Sequence, residues 1–296
     1  MFLTAGLNLI VMTVGELIHK SVSALQAADI ADADLETSFL LGHLLKMNRA
    51  QLLLATEEEV PGDIQQLFEE SLQRRKKHEP LSYIIGEQEF WSLPFLVTPA
   101  VLIPRPETEF LLETTLKVLR RAGDSPSRIL DLGVGSGVIS VVLAREIPGA
   151  QVYGVDLSFP ALKVARNNVM RHKVAGRVHL LNSDWLQALR ISSRFDLVVS
   201  NPPYVDPATF PDLQPEVISH EPHLALHGGE KGLAVIAGIC DQLYPVLRPG
   251  AWFFMEIGAD QGGAALDIFA VRGQYANLAV YDDYAGHPRV LQARKI

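Results

Sequence analysis

Cysteine is almost absent from this chain. The single residue, Cys240, excludes an intramolecular disulfide and any multi-cysteine metal site. It lies in the apolar run 235–243, where a buried, inert thiol is the expected role. That usage fits a reducing compartment, and a cytoplasmic protein is expected. Long apolar runs are missing too: none reaches the roughly 20 residues that a membrane helix needs. Residues 2–14 are apolar but carry no basic stretch before them, and they run into a helical pattern. They read as a loose terminus, with Met12 an alternative start. Positive charge is not in excess. Lys and Arg number 26 against 34 Asp and Glu, a net charge of −8, which argues against binding nucleic acid by bulk charge. No internal repeat, low-complexity segment or G-x-x-x-x-G-K-[ST] phosphate loop is present. Gly135-Ser136-Gly137 is not a G-x-S-x-G nucleophile elbow, and no carboxylate pair suggests glycoside chemistry.

What is present divides the chain. With 296 residues, 48% of them hydrophobic, there is material for one large domain and a smaller one. Residues 1–80 form a helical N-terminal domain by their periodicity. Leu17, Ile18, Val22 and Leu25 share one face, and Leu35, Phe39, Leu40, Leu44 and Leu45 another. Arg49 to Ala55 reads as a short helix, and Pro61-Gly62-Asp63 opens a fourth with Ile64, Leu67, Phe68 and Leu72 inward. Its end, Arg74-Arg75-Lys76-Lys77-His78, suits the negative end of a helix or a partner-binding patch. Residues 81–105 hold short strand-like runs, Tyr83 to Gly86, Glu89 to Trp91 and Phe95 to Val97, and predict a β-hairpin linker. Pro106 opens a helix with Glu107 and Glu109 near its positive end. Arg105 and Glu107 are either a surface pair there or close over a bound ligand.

Residues 106–296 alternate helix and strand, with a helix predicted from Lys231 to Leu247. This predicts an α/β fold with a mostly parallel sheet covered on both faces. The last two strands, joined by Gly286-His287-Pro288, are close enough for an antiparallel hairpin.

Four strand ends carry the chemistry. Asp131-Leu132-Gly133-Val134-Gly135-Ser136-Gly137 follows the first sheet strand, where glycines let backbone approach a ligand. Asp156 ends the next strand and can accept two ribose hydroxyls. Asp184-Trp185 adds an acceptor and a flat ring, and the set describes a site for a ribose and a purine. A nicotinamide fingerprint, G-x-G-x-x-G/A, fails at Val138. Then Phe195 to Val199 leads into Ser200-Asn201-Pro202-Pro203-Tyr204. Two prolines prevent helix and ladder pairing alike, so an amide sits on a stiff loop at a strand's carboxyl end. Asn201 is there either a cap or a ligand-binding group. His220, His223 and His227 are close in sequence, but Pro222 breaks their alignment and no metal is expected.

Asp-Leu-Gly-x-Gly-x-Gly, Asp156, Asp184-Trp185 and Asn-Pro-Pro-Tyr resemble the S-adenosylmethionine-dependent methyltransferases that act on amino groups. Asn-Pro-Pro-Tyr is shared with adenine-N6 DNA methyltransferases, so it implies a reaction type and not a substrate. The wider pattern is more specific. Leu102 to Glu109, Glu221-Pro222, Ala225-Leu226, Glu256-Ile257-Gly258 and Ala285 to Val290 resemble the release factor glutamine methyltransferases, the HemK/PrmC family, over nearly the whole chain. Val134 departs from it, standing where the family usually has Thr.

The resemblance implies a Rossmann-like class I methyltransferase sheet, mostly parallel with an antiparallel last strand. It implies S-adenosyl-L-methionine as methyl donor, leaving S-adenosyl-L-homocysteine. Gly133, Val134, Gly135, Ser136, Gly137, Asp156, Asp184, Trp185 and Asn201 would hold that cofactor. Asn201, Pro202, Pro203 and Tyr204 would hold the substrate, with Asn201, Pro202 and Tyr204 catalytic. The implied substrate is the Gly-Gly-Gln glutamine of class 1 peptide-chain release factors, methylated at N5 to modulate translation termination. Residues 1–80 would recognise the release factor, with no direct nucleic-acid or membrane partner. A DNA adenine methyltransferase and a non-catalytic cofactor-binding module are the alternatives. The first needs an electropositive groove, against which the net charge of −8 argues.

Overall fold

The computed structural model describes residues 11–189 and 194–296, so most of the apolar stretch 2–14 lies outside the described residues. In chain order the elements begin with helices α1 (Val14–Gln26), α2 (Ala33–Leu45), α3 (Arg49–Leu54), α4 (Gly62–Arg75) and α5 (Leu81–Ile85). Strands β1 (Glu87–Phe90) and β2 (Leu93–Leu96) follow. Next come α6 (Pro106–Ala122), β3 (Arg128–Leu132), α7 (Val138–Glu146), β4 (Gln151–Asp156), α8 (Phe159–Arg171), β5 (Val178–Asn182) and β6 (Phe195–Ser200). The chain ends with α9 (Pro215–His220), α10 (Ala234–Leu243), β7 (Leu247–Glu256), α11 (Gly262–Ala270), β8 (Tyr275–Asp282) and β9 (Pro288–Lys295). These form two compact units. The first is the chain up to Gly86 together with Pro215–His220, and the second is Glu87–Gln214 with Glu221–Ile296.

The first unit is helical because its sequence punctuates helices repeatedly. Thr13 and Asn48 each close a capping box, with Glu16 and Gln51, which satisfies orphan backbone donors at both helix starts. Val14, Leu17, Leu40, Leu41, Leu52 and Phe68 make the core. The inward face of α2 differs from the periodicity reading. Leu40 and Leu41 are buried, whereas Leu35 and Phe39 are 38% and 54% exposed, as is Leu67 of α4 at 46%. The apolar residues of α2 are spread around the helix and do not mark one side, so the sequence does not state which side its neighbours will cover.

The run Tyr83-Ile84-Ile85 is helix α5, not strand. Pro80 starts it and Gly86, left-handed at φ 81°, ends it, so terminal signals outweigh β-propensity over five residues. The cationic run divides into separate roles. Arg74 pairs with Glu79, its Nε 2.8 Å from Oε2. Arg75, 3% exposed, lies between the carboxylates of Glu36 and Glu216. A buried cation with two partners is costly to remove, since both acids are left unpaired. Arg75→Ala should destabilise this unit by about 3 kcal/mol, at the lower end of the ~3–5 kcal/mol that breaking a buried pair costs, because both acids are partly exposed. Hydrogen exchange in α2 and α4 measures it, and protection equal to the parent's would show that the ion triad contributes nothing.

In the second unit β1 and β2 form an antiparallel hairpin. Trp91 and Ser92 take φ of 56° and 54° at its tip, the two-residue turn whose twist matches the strands, so Trp91 is turn and not strand. Phe90 and Phe95 of the hairpin join the core over β3 and α7. The main sheet has seven strands in the order β5-β4-β3-β6-β7-β9-β8. β5 through β7 pair in parallel, and β9 is antiparallel to both β7 and β8. Alternate residues feed opposite cores. Ile129 and Val199 pack under α6 and α7, while Leu130 and Val198 pack under α10 and α11.

The helix predicted from Lys231 to Leu247 is shorter, Ala234–Leu243, flanked by single 3₁₀ turns, and β7 already begins at Leu247. Gly232 at φ 67° and Pro245 account for both interruptions. No helix among the described residues is long and apolar enough to cross a membrane.

Candidate active site

Parallel strands point their carboxyl ends the same way, so the loops after β3, β4, β5 and β6 collect at one sheet edge. There they line a cavity of about 240 Å³, together with parts of the segments 100–108 and 222–227. One ordered water needs only about 10–15 Å³, so this volume suits a ligand. Gly133, Val134, Gly135, Ser136, Asp156, Trp185, Asn201 and Pro203 all line it.

Local sequence explains the geometry. Gly135, at φ 55°, points its N–H at Asp156 Oδ2 across 2.8 Å, and Ser158 N–H donates to Oδ1 across 2.8 Å. The carboxylate is thereby fixed facing the cavity with one lone pair free on each oxygen. Burial raises the Asp156 pKa, and the two backbone donors work against that rise. Gly137 does not line the cavity. A Cβ there would stand 3.2 Å from the Ala165 Cβ, so its role is close packing of α7 on α8. Val134 turns its side chain into an apolar cluster with Leu162 and Ala165, where a hydroxyl would need a partner. Asp184 is exposed, and its carboxylate accepts from Gln187 Nε2 at 2.9 Å. Ser183 and Trp185 line the cavity beside it.

Asn201 stands beside the glycine loop because β6 pairs with β3, Ser200 opposite Leu132. Pro203 has no N–H, and among the described residues the Pro202 carbonyl accepts no hydrogen bond. Behind Asn201 lies a buried polar chain that sequence reading missed. Asn201 Nδ2 donates to Thr108 Oγ1 at 2.9 Å. Thr108 Oγ1 donates to Glu256 Oε2 at 2.8 Å, and the Tyr204 hydroxyl donates to Glu256 Oε1 at 3.0 Å. Burial pushes the Glu256 carboxyl up to about 7, against the two hydroxyls that stabilise its charge. The Tyr204 phenol is raised by burial first, then by Glu256. The signal available in sequence was an acid ending an otherwise apolar strand.

Arg105 lines the cavity and pairs with Glu221, not with Glu107. Glu221 also accepts from the Ile103 N–H at 3.2 Å. Two segments distant in sequence therefore meet at one ion pair beside the cavity. His223 and His227 set their rings edge-on to Phe210, and no group of His, Cys, Asp and Glu suited to a metal occurs among the described residues.

This chain is similar to known proteins in sequence and in fold. The PrmC N-terminal domain family matches residues 16–86, and the methyltransferase small domain family matches residues 106–237. The release factor glutamine methyltransferase of Koribacter versatilis (strain Ellin345) is 39% identical over 284 residues, 96% of this chain and 99% of that one. That of Moorella thermoacetica (strain ATCC 39073 / JCM 9320) is 41% identical over 283 residues, 95% and 98% of the two chains. A methyltransferase crystal structure from Pyrococcus furiosus shares the fold, with TM-score 0.52 and 17% identity over 70% of this chain and 90% of that one. With near-complete alignment at such identity, this chain belongs to the release factor glutamine methyltransferase family.

Proposed function

We propose that this protein methylates the side-chain amide nitrogen of a glutamine in a peptide-chain release factor, the Gly-Gly-Gln glutamine of class 1 factors, using S-adenosyl-L-methionine. The observation that carries the reading is the Asn201 amide on the cavity wall beside the glycine loop and Asp156; Pro202 and Tyr204 do not themselves line that wall, and the Pro202 carbonyl behind it is the second acceptor in this reading.

The residues present fit the cofactor. A ribose diol brings two O–H donors, and Asp156 holds one free lone pair on each oxygen. Trp185 offers a flat surface to a purine, and the loop at Gly133 to Ser136 lets backbone approach closely. The bound sulfonium supplies an electrophilic methyl carbon that needs no activation. The protein's task is then to orient the acceptor. A carboxamide nitrogen is a poor nucleophile because its lone pair is delocalised into the carbonyl. Asn201 Oδ1 and the Pro202 carbonyl accept its two N–H groups and turn the nitrogen toward the methyl group, and Tyr204 borders the amide. Orientation of this kind contributes up to about 7–11 kcal/mol.

Asp156→Ala should weaken S-adenosylmethionine binding by about tenfold to a hundredfold, by loss of charge-assisted hydrogen bonds. Calorimetric titration checks it, and an unchanged dissociation constant would remove Asp156 from the ribose site. The helical unit, with Phe39, Leu53 and Leu54 exposed, is the part proposed to recognise the folded release factor. The deciding experiment offers methyl-labelled S-adenosylmethionine with release factor, release factor lacking the glutamine, and DNA. Label should enter the intact factor alone. Label in DNA, or in both factors equally, would overturn the reading.

A further inference from the structure

The buried chain Asn201–Thr108–Glu256–Tyr204 has a direction, and the direction can be deduced from proton counting. An amide side chain has two similar ends, one that donates and one that accepts, and heavy-atom positions alone do not distinguish them. Each hydroxyl has a single proton to give. Glu256 is fully buried at the end of β7, and Thr108, 2% exposed, sits in the first turn of α6. An ionised carboxylate only accepts. Tyr204 must therefore give its proton to Oε1, and Thr108 must give its proton to Oε2. Thr108 has then no proton left for its third neighbour and can only accept. Asn201 must turn Nδ2 toward Thr108, which leaves Oδ1 facing the cavity.

We propose that the Glu256 carboxylate, acting through the Thr108 hydroxyl, sets which end of the Asn201 amide faces the substrate. Glu256 and Thr108 are positioning residues. This rests on the reading that the substrate is itself a carboxamide, whose N–H groups need an acceptor in the site. With Glu256 protonated, its new proton can go to Thr108 and Thr108 can donate to Asn201 Oδ1. The amide then flips and sets N–H against N–H, so substrate is repelled.

The relay sits where modest changes in pH operate it. The groups facing Glu256 are Arg289, whose charge favours the carboxylate, and Glu107, whose charge opposes it. Tyr204 and Thr108 donate to it, and burial outweighs the rest. The carboxyl is held at about 7, so the productive orientation dominates above neutrality and is lost as pH falls through that value.

The test compares the full-length parent, Thr108→Val, Thr108→Ser and Glu256→Gln between about pH 6 and 9, by turnover on release factor and by the side-chain ¹⁵N–¹H₂ resonance of Asn201. That resonance is assigned by its disappearance in Asn201→Ala. In the parent it should titrate near neutrality together with turnover, and in Glu256→Gln both titrations should vanish. Thr108→Val should lose about tenfold to a hundredfold in kcat with little change in cofactor affinity, and Thr108→Ser should recover most of it. A resonance that does not move with pH in the parent overturns the relay, as does Thr108→Ser failing like Thr108→Val. The resonance needs no turnover, so a parent enzyme inert on release factor would overturn the substrate reading while the titration still decided the relay.

Discussion

Asn201→Ala should lower methyl transfer by about 10³-fold while S-adenosylmethionine binds within about threefold of the parent affinity. The argument is one of separable contacts. The proposed cofactor contacts are spread over the glycine loop, Asp156 and Trp185, on three other strand ends, and truncating Asn201 leaves those residues in place. The substrate amide has only two proposed acceptors, and one of them goes. What remains is a nitrogen free to rotate away from the methyl carbon, so the loss falls on kcat. Folding should survive, because Asn201 is only half-buried and Thr108 keeps its bond to Glu256. Asn201→Asp should fare no better, although it keeps an acceptor. It brings a second carboxylate onto the Thr108 oxygen, whose proton is already given to Glu256. Single-turnover rates with cofactor titration measure both quantities. A variant within about tenfold of the parent rate would remove Asn201 from substrate positioning.

The glycine loop, Asp156 and Asn201 are legible in sequence for a single reason. Each sits where a strand ends, and strand ends are marked locally by an apolar run followed by glycine, acid or proline. Parallel topology then brings them together without any further information. The relay behind Asn201 has no such local mark: Thr108 and Glu256 lie 148 positions apart and meet only through the packing of α6 on the sheet. Glu216 is similar. Its segment follows the Asn-Pro-Pro-Tyr loop in sequence, yet α9 belongs with the helical unit, tied to Arg75 from 141 positions away. That placement also complicates a simple truncation: removing residues 1–80 would take away the partner of Glu216 along with the helices. Tyr83 to Ile85 differ from expectation for another reason: the helix signals Pro80 and Gly86 are local and visible, and over five residues they outweigh the β-propensity of the isoleucines between them.

Gly232→Ala should lower methyl transfer by about 10²-fold or more, although residue 232 is absent from the cavity wall. Gly232 is buried at φ 67°, a conformation costing an L-residue roughly 1–2 kcal/mol. A Cβ there would lie 2.0 Å from the Tyr204 carbonyl oxygen and 2.4 Å from Gln261 Nε2. Both neighbours are already engaged with one another, since Gln261 Nε2 donates to that carbonyl at 2.8 Å. Gln261 cannot turn aside cheaply, because its Oε1 accepts from the Gly258 N–H at 2.8 Å. The backbone at Tyr204 must therefore move, and by more than an ångström. Tyr204 ends the Asn-Pro-Pro-Tyr loop and anchors it to Glu256, so the shift propagates to both proposed substrate acceptors. Displacement of about 1 Å at a reacting centre costs about a hundredfold in rate. Cofactor affinity should fall far less, because the glycine loop and Asp156 lie on other strands. Gly263→Ala is the control, on the exposed face of α11 with nothing within 4 Å of its added Cβ, and should be kinetically silent. If Gly232→Ala proved silent as well, the Asn-Pro-Pro-Tyr loop would not depend on the backbone packed against Tyr204.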